Sequence, residues 1–389
     1  MERLSCGALA GASVALVDVT LRDGMQAANV ALTSAQRLEV ALLLEEAGVD
    51  VIQAGFAGRD NATAAAIRKR VGKPRVSLLL LGFDPLAEEQ LDGATDVGVD
   101  VIEILVRSGT RQLEAMGLGA RQAIELSTRL TSKAKDRFPE VWFCPSFATQ
   151  ANPDVLNEML DAVAATGVRH FNIPDSAGVA APADIALLIE RFAQAGWDLG
   201  IHCHDDFGLG VSNTLAGIAA GARYADATVN GYGERAGNCS LEQLATTLTQ
   251  LFGATTSVNL DKLHGIAHGV AALVGRGIAP DAAVVGRDAF AQKLDAHVRL
   301  TDRDPSLLEP FDPAIVGNER RVAVGPGSGE YSLSRKLQSL GVESPDPRAV
   351  ALALPRIIRL VEEQKAVPDD VITLTYADAS RECSASASP

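Results

Sequence analysis

The sequence predicts an α/β protein, a (β/α)₈ (TIM) barrel followed by a mostly helical C-terminal appendage, on three observations. Eight short runs rich in Val, Ile and Leu recur through the first part of the chain. Segments with apolar residues at helical spacing separate them, and a repeating strand–helix–strand order demands crossovers and therefore parallel neighbours. Beyond residue 256 that rhythm stops. Eight units over roughly 240 residues match the count and size of a closed barrel, about 250 residues in the usual case. A doubly wound open sheet is the alternative.

The first run is VALVDV (14–19), followed by AQRLEVALLLEEAG, whose closing Gly48 suits a helix C-cap. VDVIQAGF (49–56), RVSLLLLGF (75–83) and VDVIEILV (99–106) supply the next three strands, and VWFCPSF (141–147) the fifth. PDVLNEMLDAVAATG, again ending in Gly, leads to RHFNIPD (169–175). LGIHCHDD (199–206) and ADATVNGYG (225–233) complete the eight. The expected divisions are a barrel over 1–255, a linker or lid subdomain over 256–378 and a disordered tail over 379–389, where ASRECSASASP lacks an apolar pattern.

A barrel makes a demand on the polar residues, which must gather at the C-terminal ends of the strands. They do: Arg22 and Asp23 follow the first run, Gln53 lies in the second, and Asp175 and Ser176 end the sixth. His202 and His204 lie in the seventh, and Asn230 to Asn238 follow the eighth.

A length of 389 residues at 47% hydrophobic supports a large core. The formal net charge of −14, spread along the chain, argues against a nucleic-acid or anionic-membrane partner. Any anionic substrate must be held by a local device such as a metal ion or an arginine. The five cysteines have no CxxC spacing and the N-terminus has no signal-peptide pattern, so a reduced, cytoplasmic protein is expected. The longest apolar runs are too short for a bilayer span.

In HCHDD the two histidines are two apart, so on a strand both rings leave one face, roughly 6.5 to 7 Å apart along the chain. Buried core histidines are the plain reading. Against it, four polar residues within five positions are costly to bury without partners, and strands one and seven are separated only by the eighth in a closed barrel. Asp23, His202 and His204 can therefore converge as a mixed oxygen and nitrogen site for a divalent ion. Arg22 is either a salt-bridge partner of Asp18 or Asp23, or a fixed cation aimed at an oxygen that becomes negative during reaction. Asp18 is expected to be a hydrogen-bonding support.

Taken together, DVTLRDG, IQAGF, PDSAG, HCHDD and NGYGERAGN resemble the metal-dependent DRE-TIM superfamily. Its members include homocitrate, isopropylmalate and citramalate synthases, with 3-hydroxy-3-methylglutaryl-CoA lyase as a relative. The resemblance continues into VVGRDAFAQKLDAHV and FDPAIVG of the appendage. It implies a Claisen-type condensation of acetyl-CoA with a 2-oxo acid. The cofactor would be a divalent metal (Mg²⁺, Mn²⁺ or Zn²⁺) on Asp23, His202 and His204, with Asn238 nearby. It implies Arg22 and His297 as catalytic residues, His297 reaching the site from the partner subunit of a homodimer, and Gln26, Gln53, Ser146 and Ser176 against the substrate.

The chain departs from that pattern at several points. Met25 and Gln53 stand where homocitrate-type synthases carry glutamate, and Ser146 and Phe147 take the acidic positions of the fifth-strand motif. Gly200 replaces another glutamate, GSGE (327–330) stands for HSGR, and Leu308 replaces a tyrosine. Losing carboxylates suits a more highly charged 2-oxo acid, such as one bearing a phosphonate. Two other readings remain open here. One is a 3-hydroxyacyl-CoA lyase, which carries a catalytic cysteine in the eighth-strand loop, where this chain has only Cys239 after Asn238. The other is a non-catalytic metal-binding barrel acting as a partner protein.

Overall fold

The computed structural model describes residues 9–365 and 367–386. The chain forms two compact units, one running to Ile278 and the other beginning at Ala279.

The first unit is a closed barrel of eight parallel strands in sequence order. They are β1 (Ala15–Asp18), β2 (Val51–Phe56), β3 (Arg75–Leu81), β4 (Val101–Arg107), β5 (Glu140–Ser146), β6 (His170–Asp175), β7 (Asp198–Cys203) and β8 (Tyr224–Ala227). All eight coincide with the apolar runs. Closure is made by β8 pairing with β1, with Ala15 opposite Tyr224 and Asp18 opposite Ala227. Every residue of β2 and of β6 is buried, as strands covered on both faces require.

The crossovers carry α1 (Ser34–Ala47), α2 (Asn61–Arg70), α3 (Ala87–Ala94), α4 (Thr110–Ala115), α5 (Ala120–Lys135), α6 (Pro153–Ala165), α7 (Pro182–Ala193) and α8 (Gly210–Ala219). Sequence signals set their ends. Thr33 and Gln36 form a reciprocal capping box that starts α1, and Gly48, at φ +79°, stops it by donating its N–H to the Leu44 and Glu45 carbonyls. A Cβ at Gly48 would lie 2.7 Å from the Ser257 carbonyl oxygen, so the chain cannot use another residue there cheaply. Toward the N-terminal end of the barrel, Val17, Val51, Val101 and Trp142 pack as one layer. His170 stacks on Trp142 at 3.7 Å between ring centroids, and burial holds its imidazole neutral, far below the ordinary value. This layer floors the barrel and leaves the opposite end for chemistry.

After β8 come α9 (Leu241–Thr246) and α10 (Leu263–Val274). The compact units divide later than the expected boundary at 255/256, because α10 belongs to the barrel. Leu263, Ile266, Ala267 and Val270 are buried, and Asn230 donates to the Ala267 carbonyl at 2.9 Å.

The second unit contains a two-residue strand pair, β9 (Ala291–Gln292) and β10 (Arg321–Val322), with α11 (Asp295–Arg303), α12 (Glu330–Ser339), α13 (Pro347–Gln364) and α14 (Asp369–Ser386). Leu333, Leu337, Val350, Ala353, Ile357 and Tyr376 form its core. The disordered tail expected over 379–389 needs correction over its described part, since 379–386 are the last turns of α14. Ile372, Tyr376 and Ala379, spaced as one helical stripe, are buried in that core, and the small, Ser-rich composition hid the stripe. Residues 387–389 lie outside the described residues. Among the described residues, no helix is long and apolar enough to cross a membrane.

Candidate active site

The chain leaves β1 through a tight turn in which the N–H groups of Arg22, Asp23 and Gly24 all donate to the Val19 carbonyl, at 3.1, 2.8 and 3.2 Å. Asp18 braces this turn by accepting from the Thr20 N–H and hydroxyl, each at 2.9 Å. Thr20 Oγ1 in turn accepts from the Val229 N–H at 2.9 Å, which ties the end of β1 to the loop after β8. Asp18 is thus the support expected of it.

Burial pushes the Asp18 carboxyl up from an ordinary 3.8 to about 7, against the two Thr20 hydrogen bonds. The folded protein therefore holds a proton here that the unfolded chain releases between about pH 4 and pH 7. The resulting stabilisation is complete below the lower value and lost as pH rises through the upper one. Asp18→Asn is expected to make stability fall less between pH 5 and pH 8, measured as urea midpoints; parallel pH profiles would refute this.

At the mouth of the barrel Asp23, His202 and His204 come together, all buried, with candidate ligand atoms within 4.8 Å of one another. Asp23 Oδ2 lies 3.6 Å from His202 Nε2 and 3.9 Å from His204 Nε2. The two Nε2 atoms are 3.3 Å apart. Their tautomers follow from the other ring nitrogens. His202 Nδ1 faces Asp226 Oδ2 at 3.0 Å and His204 Nδ1 faces the Gly237 carbonyl at 3.2 Å. A carbonyl and a carboxylate accept, so each Nδ1 carries the proton and both Nε2 lone pairs point into the site.

Burial and the neighbouring His202 push the His204 imidazole down to about 4, leaving it neutral at pH 7. Burial alone would raise Asp23, but the Arg22 guanidinium holds it well below the usual carboxylate range. The set therefore offers one carboxylate and two Nε2 donors.

Two orphaned atoms complete the test for a cation. Asp23 Oδ1 and Asn238 Oδ1 are buried and have no hydrogen-bond partner. Asn238 spends its amide N–H on the Tyr232 carbonyl at 3.1 Å, leaving its oxygen free. Its approach depends on Gly233, where a Cβ would lie 2.0 Å from Asn238 Nδ2 and 3.3 Å from Asp23 Oδ1. Two nitrogens sharing an ion at about 2.1 Å each stand roughly 3 to 3.4 Å apart, which the histidine spacing satisfies. The residues fit a divalent metal.

Arg22 is held at two points, Nη1 to Asp23 Oδ2 at 2.6 Å and Nε to Gln53 Oε1 at 2.5 Å. The salt bridge and the site thus coexist. Gln53 passes the chain of contacts on, donating Nε2 to Glu103 Oε2 at 2.6 Å. Glu103 Oε1 accepts from Asn172 Nδ2 at 3.2 Å, and the same amide donates to Asp226 Oδ2 at 2.9 Å. Asp226 supports His202, so a circuit of side chains from β1, β2, β4, β6, β8 and β7 returns to Asp23.

Above this circuit opens a cavity of about 340 Å³. Arg22, Asp23, His202 and His204 line it, as do Gln26, Ser146 and Ser176. Gln53 does not; it is fully buried and its amide is spent between Arg22 and Glu103, so its place is behind Arg22 and not against a substrate. Asn238 reaches the metal group from the loop after β8. His297 lies half-buried on α11 of the second unit.

Glu103, Asn172, Asp226 and Arg107 are site residues the sequence reading missed. Each had a signal, a polar or charged side chain inside or ending an otherwise apolar parallel strand, where it must find a partner or a function. The acidic positions lost at Ser146 and Phe147 are also not a full loss of carboxylates, because Glu103 and Asp226 line the same cavity. Burial pushes Glu103 up to about 7, with the Asp226 charge adding to the effect.

A donor set of this kind at the C-terminal end of a parallel barrel, with an arginine clamped on its carboxylate, defines a metal-dependent barrel enzyme. The chain belongs to the HMGL-like family, whose model matches residues 13–270. It is 32% identical over 369 residues to 2-isopropylmalate synthase of Sulfolobus acidocaldarius, covering 94% of both chains. It is 33% identical to homocitrate synthase AksA of Methanopyrus kandleri, covering 92% of this chain and 90% of that one. To the putative (R)-citramalate synthase CimA of the same organism it is 32% identical, covering 92% and 70%. Among solved structures, hydroxymethylglutaryl-CoA lyase from Pseudomonas aeruginosa superimposes with a TM-score of 0.61 at 20% identity, covering 70% of this chain and 96% of that one. That likeness concerns the fold. The protein is an acyltransferase-type enzyme of this family, and a divalent metal ion is the cofactor that the family and the Asp23–His202–His204 set share.

Proposed function

We propose that the enzyme condenses acetyl-CoA with a 2-oxo acid to give a 2-hydroxy acid of the alkylmalate or homocitrate type and free CoA. The observation that carries this reading is the clamped Arg22 beside the buried Asp23–His202–His204 set, in a chain whose relatives are named as synthases of this kind.

The 2-oxo acid would bind with its carboxylate and keto oxygens toward Asp23, His202, His204 and Asn238. When bound, the metal ion supplies positive charge that polarises the keto group. The rest is done by side chains. Arg22 uses Nη1 and Nε to hold its plane, and among the described residues no acceptor takes Nη2, which is left for the keto oxygen as negative charge develops there. The methyl group of acetyl-CoA gives up a proton, its carbon attacks the keto carbon, and the oxygen formed takes a proton. Water then cleaves the thioester to release CoA. His297 is our candidate for the acid/base steps, brought by the partner subunit of a homodimer; light scattering that finds only monomer in an active preparation would remove that role.

For the substrate's tail we propose a specialised group such as a phosphonate, supported by Ser146 and Phe147 at the acidic positions of the fifth-strand motif. The lyase reading is less well supported. Cys239, the cysteine nearest the eighth-strand loop, is fully buried and its thiol is pushed up to about 12 by burial, far from a reactive thiolate.

The test is CoA thiol release from acetyl-CoA against a panel of 2-oxo acids, with Mg²⁺, Mn²⁺ or Zn²⁺ and after chelation. We expect metal-dependent release with at least one acid. Silence with every acid would end the synthase reading, and 2-oxoglutarate as the best substrate would end the specialised-tail reading alone.

A further inference from the structure

On the side of the barrel opposite the metal group, β4 sends Glu103, Leu105 and Arg107 into the cavity from one face, with Arg107 highest. Arg107 lies in register with Ser146 of β5. Among the described residues Arg107 makes no ion pair, and its Nε is buried without a hydrogen-bond partner. Ser146, 5% exposed, also lines the cavity, and its hydroxyl is buried without a partner. Two adjacent donors are thus left unsatisfied inside one cavity. Buried polar groups of this kind are rare unless something binds them.

The surroundings hold the guanidinium in place. Its carbon lies 4.3 Å from the Phe83 ring centroid and 5.5 Å from that of Phe147, a cation against two aromatic faces. Phe147 occupies the left-handed region at φ +64°, which a bulky residue adopts only when its neighbours enforce it. The enforcement is visible. The Phe147 N–H donates to Ser176 Oγ at 2.9 Å, and Gly109 makes room, since a Cβ there would lie 2.8 Å from Phe147 Cβ. Arg22, the other arginine of the cavity, is already committed to Asp23 and Gln53.

We infer that Arg107 and Ser146 form the specificity subsite for the tail of the 2-oxo acid, and that this tail ends in an anionic group, a carboxylate or a phosphonate. The inference rests on the synthase reading for the identity of the ligand's other end. In a barrel of eight strands, β4 and β5 lie across from β8 and β1. A substrate whose keto acid sits at Asp23 and the histidines therefore directs its far end at Arg107. The planar fork binds two oxygens of such a group side by side, and the Ser146 hydroxyl donates to a third or shares one. Phe56, Leu79 and Leu105 line the space between, which suits a short methylene spacer.

The test uses the metal-loaded enzyme and its Arg107→Gln and Arg107→Lys variants with phosphonopyruvate, 2-oxoglutarate and 2-oxoisovalerate. Losing a charge-assisted pair corresponds to roughly a 10- to 100-fold weakening. Arg107→Gln should raise KM by that factor for the preferred anionic acid, leave KM for acetyl-CoA within about threefold, and narrow the preference over 2-oxoisovalerate; Arg107→Lys should fall between. Calorimetric binding of the anionic acids supplies a readout independent of turnover. Arg107-dependent binding without thiol release would keep the subsite and remove the synthase reading. Thiol release with unchanged KM for the acids, or a rise in KM for acetyl-CoA in its place, would overturn the subsite, the latter by giving Arg107 to the CoA phosphates. The relative effects on phosphonopyruvate and 2-oxoglutarate identify which anion it serves.

Discussion

Asp23→Asn is expected to remove metal from the purified protein and with it all measurable turnover. Asp23 is the one anionic donor of the group, and its Oδ1 is buried without a hydrogen-bond partner. An amide there leaves two imidazoles to compete with water for a divalent ion, and it reduces the 2.6 Å ion pair with Arg22 to a hydrogen bond onto a neutral acceptor. Metal affinity should fall more than about 100-fold, exceeding the 10- to 100-fold typical of losing an outer-sphere support. Asp226→Asn belongs to that second, milder class, because it keeps an acceptor for His202 but not the charge. Metal content after dialysis, read by plasma mass spectrometry, ranks the two. Equal metal content in wild type and Asp23→Asn would reject the assignment.

The other large effect is expected at Arg22, with a different signature. Arg22→Gln should leave metal content near that of wild type yet lower kcat by about 100- to 1000-fold, the usual cost of removing one preorganised donor from a developing oxyanion. Arg22→Lys should recover only part of this. Lysine carries the charge, but a single ammonium cannot bridge Asp23 and Gln53 with two edges of one plane while offering a third N–H to substrate. Circular dichroism and metal content control for folding. An Arg22→Gln enzyme that keeps more than a tenth of the wild-type kcat would mean that the arginine only pairs with Asp23.

Much of this molecule is legible from the order of its residues, and the illegible parts share a cause. All eight strands announce themselves as apolar runs, because a strand buried on both faces has little freedom of composition. Asp23, His202 and His204 were found because histidines two apart and an Arg-Asp pair are unusual residues for a strand end. Glu103, Asn172 and Asp226 look like single interruptions until closure brings residues 22, 53, 103, 172, 202 and 226 into one ring. No local pattern encodes such a contact. Gln53 shows the same limit from the other side: its presence near the site was legible, but its direction, toward Glu103 and away from the cavity, depended on a residue fifty positions later. The end of α14 was missed for a simpler reason, since Ala and Ser form a helix only when a neighbouring core covers one face of it.

The side-chain circuit has a consequence for how this enzyme's sequence can change over time. Position 53 carries glutamate in the homocitrate-type pattern, and here it carries glutamine 2.6 Å from Glu103. Two carboxylates at that distance in a buried site cannot both ionise. Restoring the residue of that pattern alone, Gln53→Glu, should therefore damage the enzyme, and Glu103→Gln alone would turn an amide N–H toward the N–H of either Gln53 or Asn172. The double exchange keeps every donor matched. The carboxylate, moved to position 53, would accept from Arg22 and from the amide now at position 103, whose oxygen would still accept from Asn172. We expect the double variant to exceed both singles in thermal midpoint and in turnover; additivity would dissolve the pairing. If it holds, the two positions form a ratchet, in which neither residue can drift without the other and reversion is blocked one step at a time.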